Sequence, residues 1–156
     1  MHQTKKGNQW YFGMKAHVGV DSKTKPVHSA VVTPANVSDA AVLPESLHGE
    51  ETRVWGDGAY QGQTDEIHRV APRAQEHTNR RCCYKDRVDE AVRAKNRTKS
   101  RVRSKVEHVF GMLKLKFGFT KVRYRGLKKN ANRLFATLAL VNLFTVRKNL
   151  LAAARV

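Results

Sequence analysis

The first third of the chain alternates between apolar and polar positions, and the last half is patterned as helix. Residues 10–20 (WYFGMKAHVGV) are aromatic and β-branched, with alternation through Met14, Ala16, Val18 and Val20, which predicts a strand. A polar turn follows at residues 21–26 (DSKTKP), and residues 27–33 (VHSAVVT) read as the returning strand of a hairpin. Ser38 or Asp39 suits the N-cap of a short helix reaching Leu47, with Pro44 limiting its regularity. Arg53, Val54 and Trp55 form a short strand that runs into Gly56-Asp57-Gly58, and residues 61–70 predict another short helix. The aromatic triplet Trp10, Tyr11 and Phe12 is expected to pack in the core, with stacking on bases as the lesser alternative.

From Asp86 onward the pattern is helical. Asp86, Asp89 and Glu90 fall in the first turns, where acids suit the helix dipole. Periodicity strengthens after Val102, and Phe117-Gly118-Phe119 ends the helix with Gly118 as its cap. Residues 120–125 (TKVRYR) are short and β-like. A final helix from about Leu127 to Ala154 is apolar on most sides between residues 134 and 146 and is expected to be buried. Strand, strand, helix, strand, helix and then long helices predict an α/β or α+β fold.

Length and composition narrow the classes. At 156 residues the chain suits one domain, and 40% hydrophobic residues exclude a wholly disordered basic tail. The longest apolar run, residues 134–146, is interrupted by Thr137, Asn142 and Thr145 and falls short of the roughly 18–20 residues a membrane span needs, so no membrane partner is expected. The first residues do not show the pattern of a signal peptide. Adjacent Cys82 and Cys83 do not suit a disulfide framework or a CxxC metal knuckle, and with His77 they make a poor tetrahedral zinc site. A reducing cytoplasm is the simplest setting.

The charge is concentrated in one stretch of the chain. The formal net charge is +17, and residues 79–133 hold 19 Lys/Arg against four Asp/Glu, a local excess of +15. A field of that size seeks a polyanion, most often nucleic acid, although a basic face can also serve solubility alone. Within it, Arg93, Lys95, Arg97, Lys99, Arg101, Arg103 and Lys105 recur at every second residue. On a helix they charge every side, which suits a phosphate backbone better than a packed core.

Two carboxylates stand out among thirteen. Asp57 lies between two glycines after a short apolar strand, where α/β proteins place ligands, although Asp-Gly is also ordinary turn chemistry. Glu107 is the only acid after Glu90. At about 100° per residue, Arg103, Glu107 and Lys114 share one helix face within about 40°, beside an apolar stripe of Val102, Val106, Val109 and Leu113. An intrahelical Arg103–Glu107 pair would explain that spacing equally well. Separated carboxylates in a phosphate-binding environment suit Mg²⁺ or Mn²⁺.

The chain resembles the C-terminal portion of bacterial insertion-sequence transposases of the DDE type, with their Tyr-Arg-Glu-Lys signature. The residues that carry the resemblance are HQTKKGNQWYFGMK at 2–15, GDGAYQG at 56–62, RVRSKVEHVFGMLKLKFG at 101–118 and NANRLFATLALVNLF at 130–144. The resemblance implies a ribonuclease H-like mixed sheet flanked by helices, lacking its first strand, with a long C-terminal helix. It implies one catalytic domain over residues 1–156, N-terminally truncated, with a basic helical part from about residue 79 to 156. It makes Asp57 and Glu107 catalytic metal ligands for Mg²⁺ or Mn²⁺, and it places Arg103 and Lys114 on DNA phosphates, with Arg97, Arg101 and Lys105 as further DNA contacts. Ser100 stands at the signature's Tyr position. The family's first catalytic Asp lies upstream of the HQTKKGNQW segment, and Asp21, Asp39 and Asp65 do not replace it. Two expectations follow: metal-dependent cleavage and strand transfer at transposon ends and target DNA, or a catalytically inactive, DNA-binding remnant. A homodimer or a full-length transposase is the expected protein partner, and the cytoplasmic nucleoid the expected location.

Overall fold

The computed structural model describes residues 2–84 and 87–155; Asp86, expected in a helix, lies outside them. The chain is a mixed α/β protein. Its elements are β1 (His2–Lys6), β2 (Gln9–Val20), β3 (Val27–Pro34), α1 (Asp39–Ser46), β4 (Arg53–Val54), a 3-10 turn (Gly58–Tyr60), α2 (Thr64–Val70), β5 (Gln75–Glu76), β6 (Cys83–Tyr84), β7 (Arg87–Val88), α3 (Glu90–Leu115) and α4 (Leu127–Ala153). They form two compact units, one from residues up to Val37 together with those from Val106 onward, the other Ser38–Lys105. Helix α3 contributes residues to both.

In the first unit, β1, β2 and β3 form an antiparallel sheet in that order. The predicted hairpin is β2–β3, and its alternation holds: Ala16, Val18 and Val20 on β2, with Val27, Ala30 and Val32 on β3, pack against Val109, Met112 and Leu113 of α3 and Leu134, Leu138 and Val141 of α4. A register shift at Gly19/Val20 lets Val20 pair with Val27. The side-chain amide of Asn142 closes the start of β3, accepting from Val27 N at 2.8 Å and donating to Val27 O at 2.8 Å. Gly118, at φ +61, ends α3 in the left-handed conformation the sequence predicts.

Three expectations change in this unit. Trp10 and Phe12 are 64% and 67% exposed, and Tyr11 is exposed too. The cause is register: β3 pairs with β2 only from Met14 onward, while residues 9–13 pair with β1 alone, so the aromatic triplet lies on a two-stranded ribbon. Helix α4 is less buried than its composition suggests. Leu134, Leu138 and Val141 make a single inward stripe at helical spacing, while Phe135, Leu140 and Leu143 are exposed. By length and composition α4 could also span a bilayer, a test that a core helix of a water-soluble protein passes as well. Residues 120–125 are a loop and not a strand.

The second unit has its own core of Leu43, Val54, Ile67, Ala71 and Ala74, with Leu47 and Tyr60 packed against it. Of the two predicted caps, Ser38 is the one that caps α1, its hydroxyl accepting from Ala41 N at 3.3 Å. β4 and β5 pair in parallel, Arg53 with Gln75 and Val54 with Glu76. The pairing continues past the strands, with His77 N donating to Val54 O at 2.7 Å and Asn79 N to Gly56 O at 3.1 Å. β6 and β7 form a small antiparallel pair before α3.

Candidate functional site

Asp57 leaves the end of β4 and caps the 3-10 turn that follows. Its backbone is extended, and its Oδ1 accepts from Ala59 N at 2.9 Å. One carboxylate oxygen is thereby fixed by the chain's own turn, and the other points elsewhere. Arg103 Nη1 stands 3.7 Å from Oδ2, with both side chains partly exposed. A pair in that setting contributes about 0–1 kcal/mol, so it orients the carboxylate more than it stabilises the fold.

Arg103 reaches Asp57 because the N-terminal half of α3 is stapled to the segment after β5. Asn96 Nδ2 donates to Arg80 O at 2.6 Å, and Arg80 N donates to Asn96 Oδ1 at 3.0 Å. Lys99 Nζ donates to Thr78 O at 2.7 Å, and Asn79 Nδ2 donates to Ser100 Oγ at 3.0 Å. Asn96, Lys99, Ser100 and Arg103 recur at three, one and three residues, so they share one helical face. Sequence reasoning missed this polar stripe because its members look unremarkable within a run of alternating cations. Their heptad-like spacing was the available signal.

The same stripe separates the basic residues. Arg97, Arg101 and Lys105 stand four residues apart, in a row roughly opposite the face that meets Asp57. Arg97 and Arg101 are exposed and Lys105 is half-buried. The structure therefore groups Arg103 with Asp57 and places Arg97, Arg101 and Lys105 on another side of α3. Glu107 and Lys114 are exposed on the C-terminal half of α3, in the row that begins with Arg103.

The surroundings of Asp57 are tightly built. Gly56 is buried, and a Cβ there would stand 2.9 Å from Tyr60 Cδ2 and 3.0 Å from Thr78 Cγ2. Burial pushes the Tyr60 phenol up to about 12, and the charges of Asp39 and Asp57 add to the effect. Trp55 stacks on His77 with ring centroids 5.4 Å apart. The buried atoms His77 Nε2 and Asn79 Oδ1 find no hydrogen-bond partner among the described residues. At Glu76, burial opposes the charged form, but hydrogen bonds from the Thr64 and Thr78 hydroxyls and the fields of Arg80 and Lys99 outweigh it and hold the carboxyl below its ordinary range.

No group of three His, Cys, Asp or Glu side chains comes together among the described residues. Asp57 is nevertheless a hard oxygen donor with lone pairs to spare. Mg²⁺ is commonly bound through one or two carboxylates plus substrate phosphate, without a dedicated protein cage. The donor chemistry of Asp57 fits an ion that arrives with a phosphate.

No solved structure matches the chain. Residues 1–143 match the family described as transposase DDE domain. A glycine-flanked Asp at a strand end and a strongly basic helix that docks beside it accord with that match, which covers most of the sequence: the chain belongs to the transposase DDE domain family, whose activity is DNA transposition.

Proposed function

We propose that this chain is the catalytic domain of an insertion-sequence transposase, a ribonuclease H-like domain over residues 1–156 whose basic helical part begins near residue 79. It acts on transposon ends and target DNA in the bacterial cytoplasm, at the nucleoid, as a homodimer or together with full-length transposase. The observation that carries this reading is the Asp57 carboxylate, fixed through one oxygen by Ala59 N–H and faced by Arg103 through the other.

In this reading Asp57 and Glu107 hold Mg²⁺ or Mn²⁺. When bound, the ion activates a water or hydroxyl nucleophile and stabilises the leaving oxygen of a phosphodiester. Ala59 N–H and Arg103 aim the Asp57 carboxylate before DNA arrives, so little reorganisation is needed. Lys114, and the row Arg97, Arg101 and Lys105, neutralise backbone phosphates and set the register of the duplex without reading its sequence.

A second reading is DNA binding without cleavage. It needs only the basic residues 79–133, which hold 19 Lys/Arg against four Asp/Glu, and no metal. One experiment separates the two. The purified chain is incubated with MnCl₂ and a plasmid bearing the ends of the element that encodes it. Nicking at those ends that is lost in Asp57→Asn and in Glu107→Gln supports the first reading. Binding without Mn²⁺-dependent nicking supports the second, and a chain that binds no DNA overturns both.

A further inference from the structure

The loop between α3 and α4 is held more firmly than a surface connection requires. Asn130, in the first turns of α4, is 1% exposed and uses its whole side-chain amide on that loop. Its Oδ1 accepts from Arg123 N at 3.2 Å and from Tyr124 N at 3.1 Å. Its Nδ2 donates to Tyr124 O at 2.6 Å and to Gly126 O at 2.7 Å. Further back, Arg133 Nη1 donates to Lys121 O at 3.0 Å, while its guanidinium lies 4.4 Å from the centroid of the Phe119 ring. The backbone of residues 121–126 is thus pinned at five points by two residues of the following helix.

The pinned segment carries charge outward. Lys121, Arg123 and Arg125 on the loop are exposed, as are Lys128 and Lys129 just after it, and Tyr124 is 50% exposed between the two arginines. Among the described residues, the side chains of Arg123 and Arg125 make no hydrogen bond or ion pair. No Asp or Glu follows Glu107 in the sequence, so this part of the chain offers no carboxylate to neutralise them. Flexible cations on a flexible loop lose much of their binding energy to ordering, and a fixed backbone removes the loop's share of that cost beforehand. A buried amide spent entirely on fixing a loop of unpaired cations is the arrangement expected of a prepared anion site.

We propose that residues 121–129 form a phosphate clamp for duplex DNA, preorganised by Asn130, with Arg123 and Arg125 as its principal contacts. This rests on the reading of the chain as a DNA-acting transposase and adds DNA contacts beyond those of Arg97, Arg101 and Lys105 on α3. Asn130 is a positioning residue in this scheme. Tyr124 packs its ring along the sugar-phosphate edge between the arginines.

The test is fluorescence anisotropy of the full chain with a labelled duplex across a KCl series. Each phosphate contact contributes about 0.9 to the slope of log K against log salt. Arg123→Ala/Arg125→Ala is expected to bind severalfold more weakly and to lower the slope by about 2. Lys23→Ala/Lys148→Ala, which removes the same charge elsewhere, is expected to change the slope far less. Asn130→Leu keeps every cation yet is expected to lower both affinity and slope, which a residue that serves folding alone would not do in protein shown to be folded. Should Asn130→Leu not fold, the arginine pair still decides. An arginine variant with the wild-type slope overturns the clamp and leaves the transposase reading standing. Wild-type chain that binds no DNA overturns both.

Discussion

Arg103 Nη1 lies 3.7 Å from Asp57 Oδ2, so the arginine that resemblance places on DNA phosphate already has a carboxylate partner within the protein. The two roles are compatible in sequence. A guanidinium has five donors in a planar fork, and one edge can face Asp57 while another meets a phosphate. In the proposed function, this pairing would let phosphate binding at Arg103 and the orientation of the Asp57 carboxylate act on each other. Lysine, a point charge on a flexible stem, does not present two such edges.

Asp57→Asn and Arg103→Lys should therefore separate binding from chemistry. Asp57→Asn removes a negative charge from a basic field, so DNA affinity is expected to hold or rise while Mn²⁺-dependent nicking is lost. Arg103→Lys is expected to reduce nicking by about 10–100-fold, as loss of a residue that orients a ligand commonly does. Melting temperatures of both variants should stay near wild type, since a partly exposed pair contributes at most about 1 kcal/mol. Anisotropy, nicking and thermal melts on the same preparations check all three statements.

Tyr60 should be visible by its late ionisation. Its folded pKa, about 12, is above the ordinary value of 10. Its contribution to stability is complete below about pH 10 and is lost as the pH rises from there through 12. Ultraviolet titration of the four tyrosines is expected to show one phenol ionising about two units after the ordinary range, and Tyr60→Phe should delete that phase. A titration in which every tyrosine ionises near pH 10 in folded protein would contradict the packing described around Gly56.

Glu76 sets an opposite dependence at the acid end. Its folded pKa is lowered, so the stability it contributes is present above its unfolded pKa and is lost as the pH falls through the folded one. Asp21, lowered by hydrogen bonds from the backbone N–H groups of Thr24 and Lys23, acts in the same direction. Glu76→Gln is expected to destabilise the protein at pH 7 and to flatten the decline in melting temperature toward pH 3. The comparison needs only thermal melts of the two proteins across that range.

Ile67 is fully buried at the centre of the second unit's core. Truncating such a side chain removes its transfer energy and leaves a cavity, so Ile67→Ala is expected to cost about 2–5 kcal/mol. Glu66→Ala, next to it on the same helix, breaks only a surface pair with Arg69 and should cost less than about 1 kcal/mol. Urea denaturation of the two variants tests the contrast.

Local chemistry made much of the fold legible. Alternation through Ala16, Val18 and Val20 predicted the buried face of β2, Ser38 predicted the start of α1, and Gly118 predicted the end of α3. What stayed hidden depended on partners distant in the chain. Nothing near Trp10 and Phe12 indicates that β3 stops short of them, and nothing near Leu140 or Leu143 indicates which sides of α4 find a neighbour. The TKVRYR segment has strand-like composition, yet the Asn130 amide occupies backbone groups that a strand would have used. At the candidate site, Asp57 stood out because its two glycines marked it. Asn96, Lys99 and Ser100 did not, because their partners at residues 78–80 lie about 20 residues earlier.

The two glycines beside Asp57 look equivalent in sequence and are not. A side chain at position 56 collides with Tyr60 and Thr78, whereas a Cβ at position 58 meets nothing within 4 Å. Over evolutionary time the triplet should therefore drift on one side only. Position 58 can accept alanine or serine with little penalty, while position 56 is closed unless Tyr60 or Thr78 changes with it. Among relatives of this chain, variation at 56 should be found only alongside variation at 60 or 78.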